Sequence, residues 1–154
     1  MGNRAVITTW VEGETQEQFE NGENQRVGIY LHWNGGRDSV EPFLMYSKMK
    51  GYRKPEHDNY GWARLCQVIA NFFGGDTSIG IDMVENLDCS NWDNGVYLIK
   101  DWEIVGRYYF EGEEQHQYSM LEMLEEIDKN MPESEQLGKE KIEQLLEEYN
   151  APAF

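Results

Sequence analysis

Residues 58–75, DNYGWARLCQVIANFFGG, leave the chain little conformational choice. Trp62, Leu65, Cys66, Ile69, Phe72 and Phe73 recur at steps of three and four, the period of one helical face. Asp58 or Asn59 supplies the N-cap, and Gly74 and Gly75 supply the stop. Arg64, Gln67 and Asn71 fall on the polar side. A helix this apolar on one face has to be covered, so it is expected at the centre of the core.

The rest of the chain supplies the cover. RAVITTWV (4–11) and RVGIYLHW (26–33) are rich in β-branched and aromatic residues and predict an antiparallel strand pair. The polar stretch between them, EGETQEQFENGENQ, reads as a long loop or hairpin tip. A helix is expected over about 40–50, capped by Ser39, with Pro42 in its first turn and Gly51 at its end. SIGIDMV is a third strand, and VYLIKDWEIVGRYYF makes two more around a turn at Asp101–Trp102. Two helices close the chain, at about 118–129 and 134–149, with Pro132 between them. The order ββααβββαα predicts a single α+β domain over 1–154, with a mainly antiparallel sheet of about five strands and four helices. The 154 residues suit one domain with a real core.

Charge narrows the partners. The formal net charge is -16, and between Glu111 and Glu148 thirteen acids face three lysines. Residues 111–154 therefore form an acidic helical pair. Direct nucleic-acid binding is disfavoured, because it requires cations that displace counterions from phosphates. An anionic membrane surface is disfavoured on the same ground. A basic protein partner, or mimicry of a polyanion, fits. Cys66 and Cys89 lack metal-type spacing, so no disulfide and a reducing cytoplasm are expected. No signal peptide or transmembrane run is read, and MGNRAV fails as a myristoylation signal at Val6.

GIYLHWNGGRDS (28–39) is the candidate ligand site. It runs from a strand through two glycines and a cation into a helix start. It is neither a Walker loop nor a dinucleotide fingerprint. Gly35 and Gly36 allow backbone N–H groups to meet an anion, the helix after Ser39 offers its positive end, and Arg37 adds a fork of donors. Asn34 belongs to the same turn, and Trp33 or Trp62 offers a stacking surface. Arg64 could reach the same pocket. The plainer alternative is a strand-to-helix turn whose Arg37 pairs with a nearby acid.

Other candidates fail on spacing. Aligning DCSNWDNG with a calcium loop puts Trp92 at a ligand position, which it cannot fill. His32, His57 and His116 form no metal pattern, and no nucleophile elbow is present. His32 could approach Asp38 or Asp93. No catalytic residue, metal or cofactor is predicted, and the expectation is a protein that is not an enzyme.

GIYLHWNGG, YGWARLCQVIANFFGG and DNGVYLIKDWEIVGR together resemble a family of small proteins from phages and prophages of Gram-positive bacteria. The likeness covers most of residues 1–110. It implies a setting, the cytoplasm of a bacterial host. Small phage proteins without catalytic motifs are similar in scale and charge to counter-defence factors. Some of these sequester nucleotide immune signals; others, the anti-CRISPR proteins, cover the nucleic-acid groove of a defence protein. The leading expectation is sequestration of a small anionic nucleotide signal through Trp33, Asn34, Gly35, Gly36, Arg37, Ser39, Trp62 and Arg64. The second is an acidic, anti-CRISPR-like inhibitor that binds a basic host defence protein through 111–148. The third is a small hydrolase with unrecognised carboxylates. The oligomeric state stays open, a homo-oligomer included.

Overall fold

A computed structural model describes residues 2–75 and 78–150. The architecture is α+β, built on one five-stranded mixed sheet in the order β3-β2-β1-β4-β5. The strands are β1 Ala5–Thr9, β2 Val27–Leu31, β3 Ile79–Met83, β4 Val96–Lys100 and β5 Glu103–Tyr108. Three neighbouring pairs are antiparallel, and β1 runs parallel to β4.

Alternation along the strands separates two apolar layers. In β1, Ala5 and Ile7 face one side and Val6 the other; in β4, Tyr97 and Ile99 oppose Val96 and Leu98. Both faces of these strands are covered, which is why AVIT and VYLI read as unbroken apolar runs. The edge strand β3 is exposed at Ile81 and Asp82.

The larger layer lies under four helices: α2 Arg37–Met49, α3 Asn59–Phe72, α4 Met120–Lys129 and α5 Lys139–Asn150. Its centre is shared by α2 and α3: Val40, Phe43, Leu44 and Tyr46 of α2 and Leu65, Val68 and Ile69 of α3 are fully buried, whereas Trp62, Cys66, Phe72 and Phe73 of the α3 segment are only partly covered. Gly61 explains the close seating of α3: a Cβ there would stand 2.3 Å from the Arg53 carbonyl. Asp58 caps α3 by accepting the Tyr60 N–H.

Three expectations about element bounds are corrected. The polar stretch after β1 contains a short helix, α1 Gln16–Glu20, nucleated by a capping box in which Thr15 and Gln18 satisfy each other's backbone N–H groups. Its single buried residue, Phe19, covers the second layer with Val84 and Tyr108. Helix α2 begins at Arg37 with Gly36 as N-cap, so Ser39 lies inside the first turn and Pro42 in the second. Helix α5 begins at Lys139, because a 3-10 turn at Glu133–Glu135 and Gly138 at φ +88 intervene.

Asp128 organises the C-terminal helices. It is buried, and its carboxylate accepts the Tyr46 hydroxyl at 2.6 Å and the N–H groups of Leu137 and Gly138 at 2.8 and 2.9 Å. One side chain thus ties α4, α2 and the entry to α5. Burial first, then the hydrogen bond to Asp128, pushes the Tyr46 hydroxyl far above its ordinary pKa. Among the described residues, no helix is long and apolar enough to cross a membrane.

Candidate functional site

The turn after β2 is built by close approach to the start of β1. Asn34 takes a left-handed conformation at φ +56. The Gly35 N–H then donates to the Asn3 carbonyl at 2.8 Å, and the Gly35 carbonyl accepts the Tyr97 hydroxyl at 2.7 Å. A Cβ on Gly35 would sit 2.5 Å from the Asn3 carbonyl oxygen, so only glycine fits. Gly36 is hemmed in by Gln115, whose side chain would lie 2.7 Å from its Cβ. The carbonyl of Gly36 accepts the Ser39 and Val40 N–H groups, and Asn34 Nδ2 donates to Ser39 Oγ. The Gly35 amide expected to meet an anion is therefore already used.

Arg37 is used as well. Its Nε donates to Glu41 at 2.7 Å, one turn further along α2, and Nη1 lies 3.6 Å from Glu114. Trp33 is 41% exposed and meets His32 edge-on at 4.9 Å between ring centroids. Trp62 packs against the core from α3. Arg64, also on α3, reaches Gln67 at 3.5 Å and lines a depression with Tyr52, Asn71 and Glu135. Arg37 lines a different one, with Asp38, Glu41 and Glu114. The structure thus gathers residues 33–39 in one turn and leaves Trp62 and Arg64 on another part of the surface.

What closes over this turn is the segment after β5. Arg107 clamps Glu114 with Nη1 at 2.6 and 2.8 Å from its two oxygens, and its guanidinium stacks at 3.9 Å over Tyr97 and 3.8 Å over Phe110. Gln115 exchanges hydrogen bonds with Asn3 and also donates to Asn94. Asp38 accepts the N–H groups of Gln117 and Tyr118 at 2.6 and 3.2 Å. Residues 107–118 are in this way strapped across the N-terminal turn of α2.

Two depressions flank Tyr118, which lines both and is 43% exposed. One, of about 260 Å³, lies between α2 and the strap. The other, of about 490 Å³, lies along α4 and over Phe72. Together they form a groove with Pro42, Met120, Met123 and Phe72 as apolar floor and Asp38, Glu41, Glu114, Glu122, Glu125 and Glu126 as its carboxylates. Arg37 is the one Lys or Arg among the lining residues, and it is paired twice. The groove carries a net negative charge and offers an apolar surface beside it. Those are the properties that receive a basic, amphipathic segment and repel a phosphate.

Sequence reasoning missed this groove. The Arg37–Glu41 pair has the i,i+4 spacing and was legible. Glu114 and Tyr118 reach the site only through the fold, and no local pattern marks them.

Burial pushes the Cys66 thiol up, and burial with the nearby Asp88 charge pushes Cys89 up to about 11, so both are protonated at neutral pH. His32 Nδ1 meets the Tyr30 hydroxyl at 3.0 Å, whereas Asp93 is engaged by Arg4 at 2.8 Å and Asp38 by the strap. Among the described residues, no group of three or more His, Cys, Asp or Glu side chains is placed to hold a metal ion. Comparison with protein-family models, with characterised proteins and with solved structures finds no match.

Proposed function

We propose that this chain is a non-catalytic binding protein that docks on a basic protein surface through the Tyr118 groove. The observation that carries the reading is the lining of that groove: six carboxylates around an apolar floor, of which Glu41, Glu114 and Glu126 are paired with Arg37, Arg107 and Lys129, while Asp38, Glu122 and Glu125 have no ion-pair partner among the described residues. A partner that presents lysines and arginines beside apolar residues gains both charge complementarity and buried area there. The acids of α5 at Glu140, Glu143, Glu147 and Glu148 are exposed and extend the negative field that steers such a partner in. In the setting that the resemblance implies, the partner is a host defence protein whose nucleic-acid-binding surface the chain covers. Sequestration of a nucleotide signal receives less support, because Arg37 and Arg64 line separate depressions and Arg37 is paired.

The test uses a photo-crosslinking residue at position 118 in cells challenged by phage. The expected product is a basic protein whose nucleic-acid binding is blocked by the purified chain in a gel-shift assay. Combined Tyr118→Ala, Glu122→Gln and Glu126→Gln substitutions should remove that inhibition from a folded protein. A stoichiometric nucleotide released from the purified chain by heat, and lost in Arg37→Ala, overturns the reading in favour of sequestration.

A further inference from the structure

Residues 88–95 hold a tryptophan out in water. Asn91 is fully buried at the centre of this loop. Its Nδ2 donates to the carbonyls of Asp88 and Gly95 at 3.0 and 3.2 Å, and its Oδ1 accepts the N–H groups of Asp93 and Gly95 at 3.1 and 3.0 Å. Every hydrogen-bonding direction of that amide is spent on the loop backbone. Gly95, at φ +67, is pressed so close to the end of β5 that a Cβ would meet the Tyr108 carbonyl at 2.1 Å. The loop is thus braced from within, and Trp92 stands on it at φ +61 with 93% of its surface exposed.

That placement is costly twice over. A bulky side chain in the left-handed region is strained, and an indole in water forgoes its burial energy. A glycine or asparagine would satisfy the same turn more cheaply. Tyr109, on the facing segment, is also left-handed at φ +57. Between them lies a cleft of about 380 Å³, to which Phe110 contributes a further ring and Glu111 a carboxylate; the Asp93 carboxylate at its edge is already held by Arg4 at 2.8 Å. No Lys or Arg is among the residues that line it.

The molecule shows nearby what such a constellation holds. Arg107 lies with its guanidinium stacked on Tyr97 and Phe110 and its charge met by Glu114. The outer cleft sets Trp92 and Tyr109 beside Glu111, and shares with the Arg107 site the Phe110 ring that already carries Arg107. Planar guanidinium groups match both the faces and the acid, and Trp is the strongest ring for this contact.

We propose that the Trp92 cleft binds the guanidinium of an arginine side chain presented by a partner polypeptide, stacked on Trp92 and paired with Glu111. The proposal rests on the reading above for the partner being a basic polypeptide, but it concerns a different surface, which shares no lining residue with the Tyr118 groove.

The probes are the peptides acetyl-Gly-Arg-Gly-amide and acetyl-Gly-citrulline-Gly-amide, which match in shape and differ in charge. The readout is the nuclear magnetic resonance signal of the Trp92 indole N–H, assigned by its loss in Trp92→Phe. The arginine peptide should shift that signal saturably and bind at least about fivefold more tightly than the citrulline peptide. Glu111→Gln should reduce the arginine affinity severalfold with the remaining spectrum unchanged, which keeps the test valid where Trp92→Phe alters the loop. Equal binding of both peptides, or an unchanged affinity in Glu111→Gln, overturns the inference. An arginine peptide that shifts the amides around Tyr118 and leaves Trp92 still overturns it too, while supporting the groove as the basic-partner site.

Discussion

Glu14 and Glu114 each hold arginine, in opposite surroundings. The Glu14 side chain is fully buried, and Arg26 beside it is 10% exposed. Arg26 Nη1 and Nη2 meet the two Glu14 oxygens at 2.9 and 2.8 Å, and Asn24 and Tyr108 complete the carboxylate's shell. This cluster locks the α1 region onto the far layer of the sheet. Glu114 sits at the rim, clamped by Arg107 on one side and approached by the half-exposed Arg37 on the other. The first acid is spent on holding elements together; the second belongs to a surface where more carboxylates than cations remain. In so acidic a chain, location and not residue type separates structural acids from those available to a partner.

The largest effect is expected where the pair is dry. Glu14→Ala should destabilise the domain by roughly 3–5 kcal/mol, because Arg26 keeps its charge in a buried place without its counter-ion. Burial opposes ionisation of Glu14, but hydrogen bonds from Arg26, Asn24 and Tyr108, with the Arg26 charge, win and hold its pKa below the ordinary value. The stability it contributes is therefore present above the unfolded carboxyl's pKa and is lost as pH falls through the lower, folded one. Tyr108 gives the opposite limb: burial and its bond to Glu14 raise its hydroxyl to about 12, so that contribution is complete below the unfolded value and is lost as pH rises through about 12. Denaturant melts from pH 2 to 12 should show both limbs. Glu14→Gln should flatten the acid one and Tyr108→Phe the alkaline one.

Asp128 comes next. Asp128→Ala strands the buried Tyr46 hydroxyl and two backbone N–H groups, an expected loss of about 2–3 kcal/mol. Tyr46→Phe, which removes the donor and keeps the ring, should cost about 1 kcal/mol. Equal thermal midpoints for Asp128→Ala and the parent would mean that α5 is not anchored through this carboxylate.

These contrasts also mark what was legible in the sequence. Helix α3 could be read because its apolar spacing, cap and stop agree locally. So could the β4–β5 hairpin, where Asp101 and Trp102 take φ +54 and +64 at the turn. Helix α1 was hidden because one buried Phe19 in a polar run gives no period, although Thr15 and Gln18 carried a capping signal. The start of α2 was misread because its decision is long-range: Asp38 is recruited by the amides of 117–118, and the Gln115 side chain packs closely over Gly36. The candidate site shares that fate. Its turn glycines were visible, but the residues that engage the Gly35 backbone groups, Asn3 and Tyr97, lie far along the chain. The burial of Asp128 likewise needs the α2–α4 contact before it has a meaning.

The rim should barely register in stability. Arg37→Ala removes a pair whose two side chains are 39% and 43% exposed, so a loss of about 0.5 kcal/mol is expected. Glu122→Gln with Glu126→Gln should change stability by less than about 0.5 kcal/mol, since both side chains are exposed and, among the described residues, Glu126 has only Lys129 as an ion-pair partner, at 3.4 Å. Their effect belongs to association. Removing two charges from the groove weakens its long-range attraction for a basic partner, so the association rate should fall and its dependence on salt should become shallower, with the dissociation rate changed less. Stopped-flow measurements at two ionic strengths, on the partner identified by crosslinking, separate these rates. The outcome that breaks the comparison is a double variant that melts several degrees lower and associates as fast as the parent. The rim acids would then be structural like Glu14, and the groove would owe its shape, not its charge, to them.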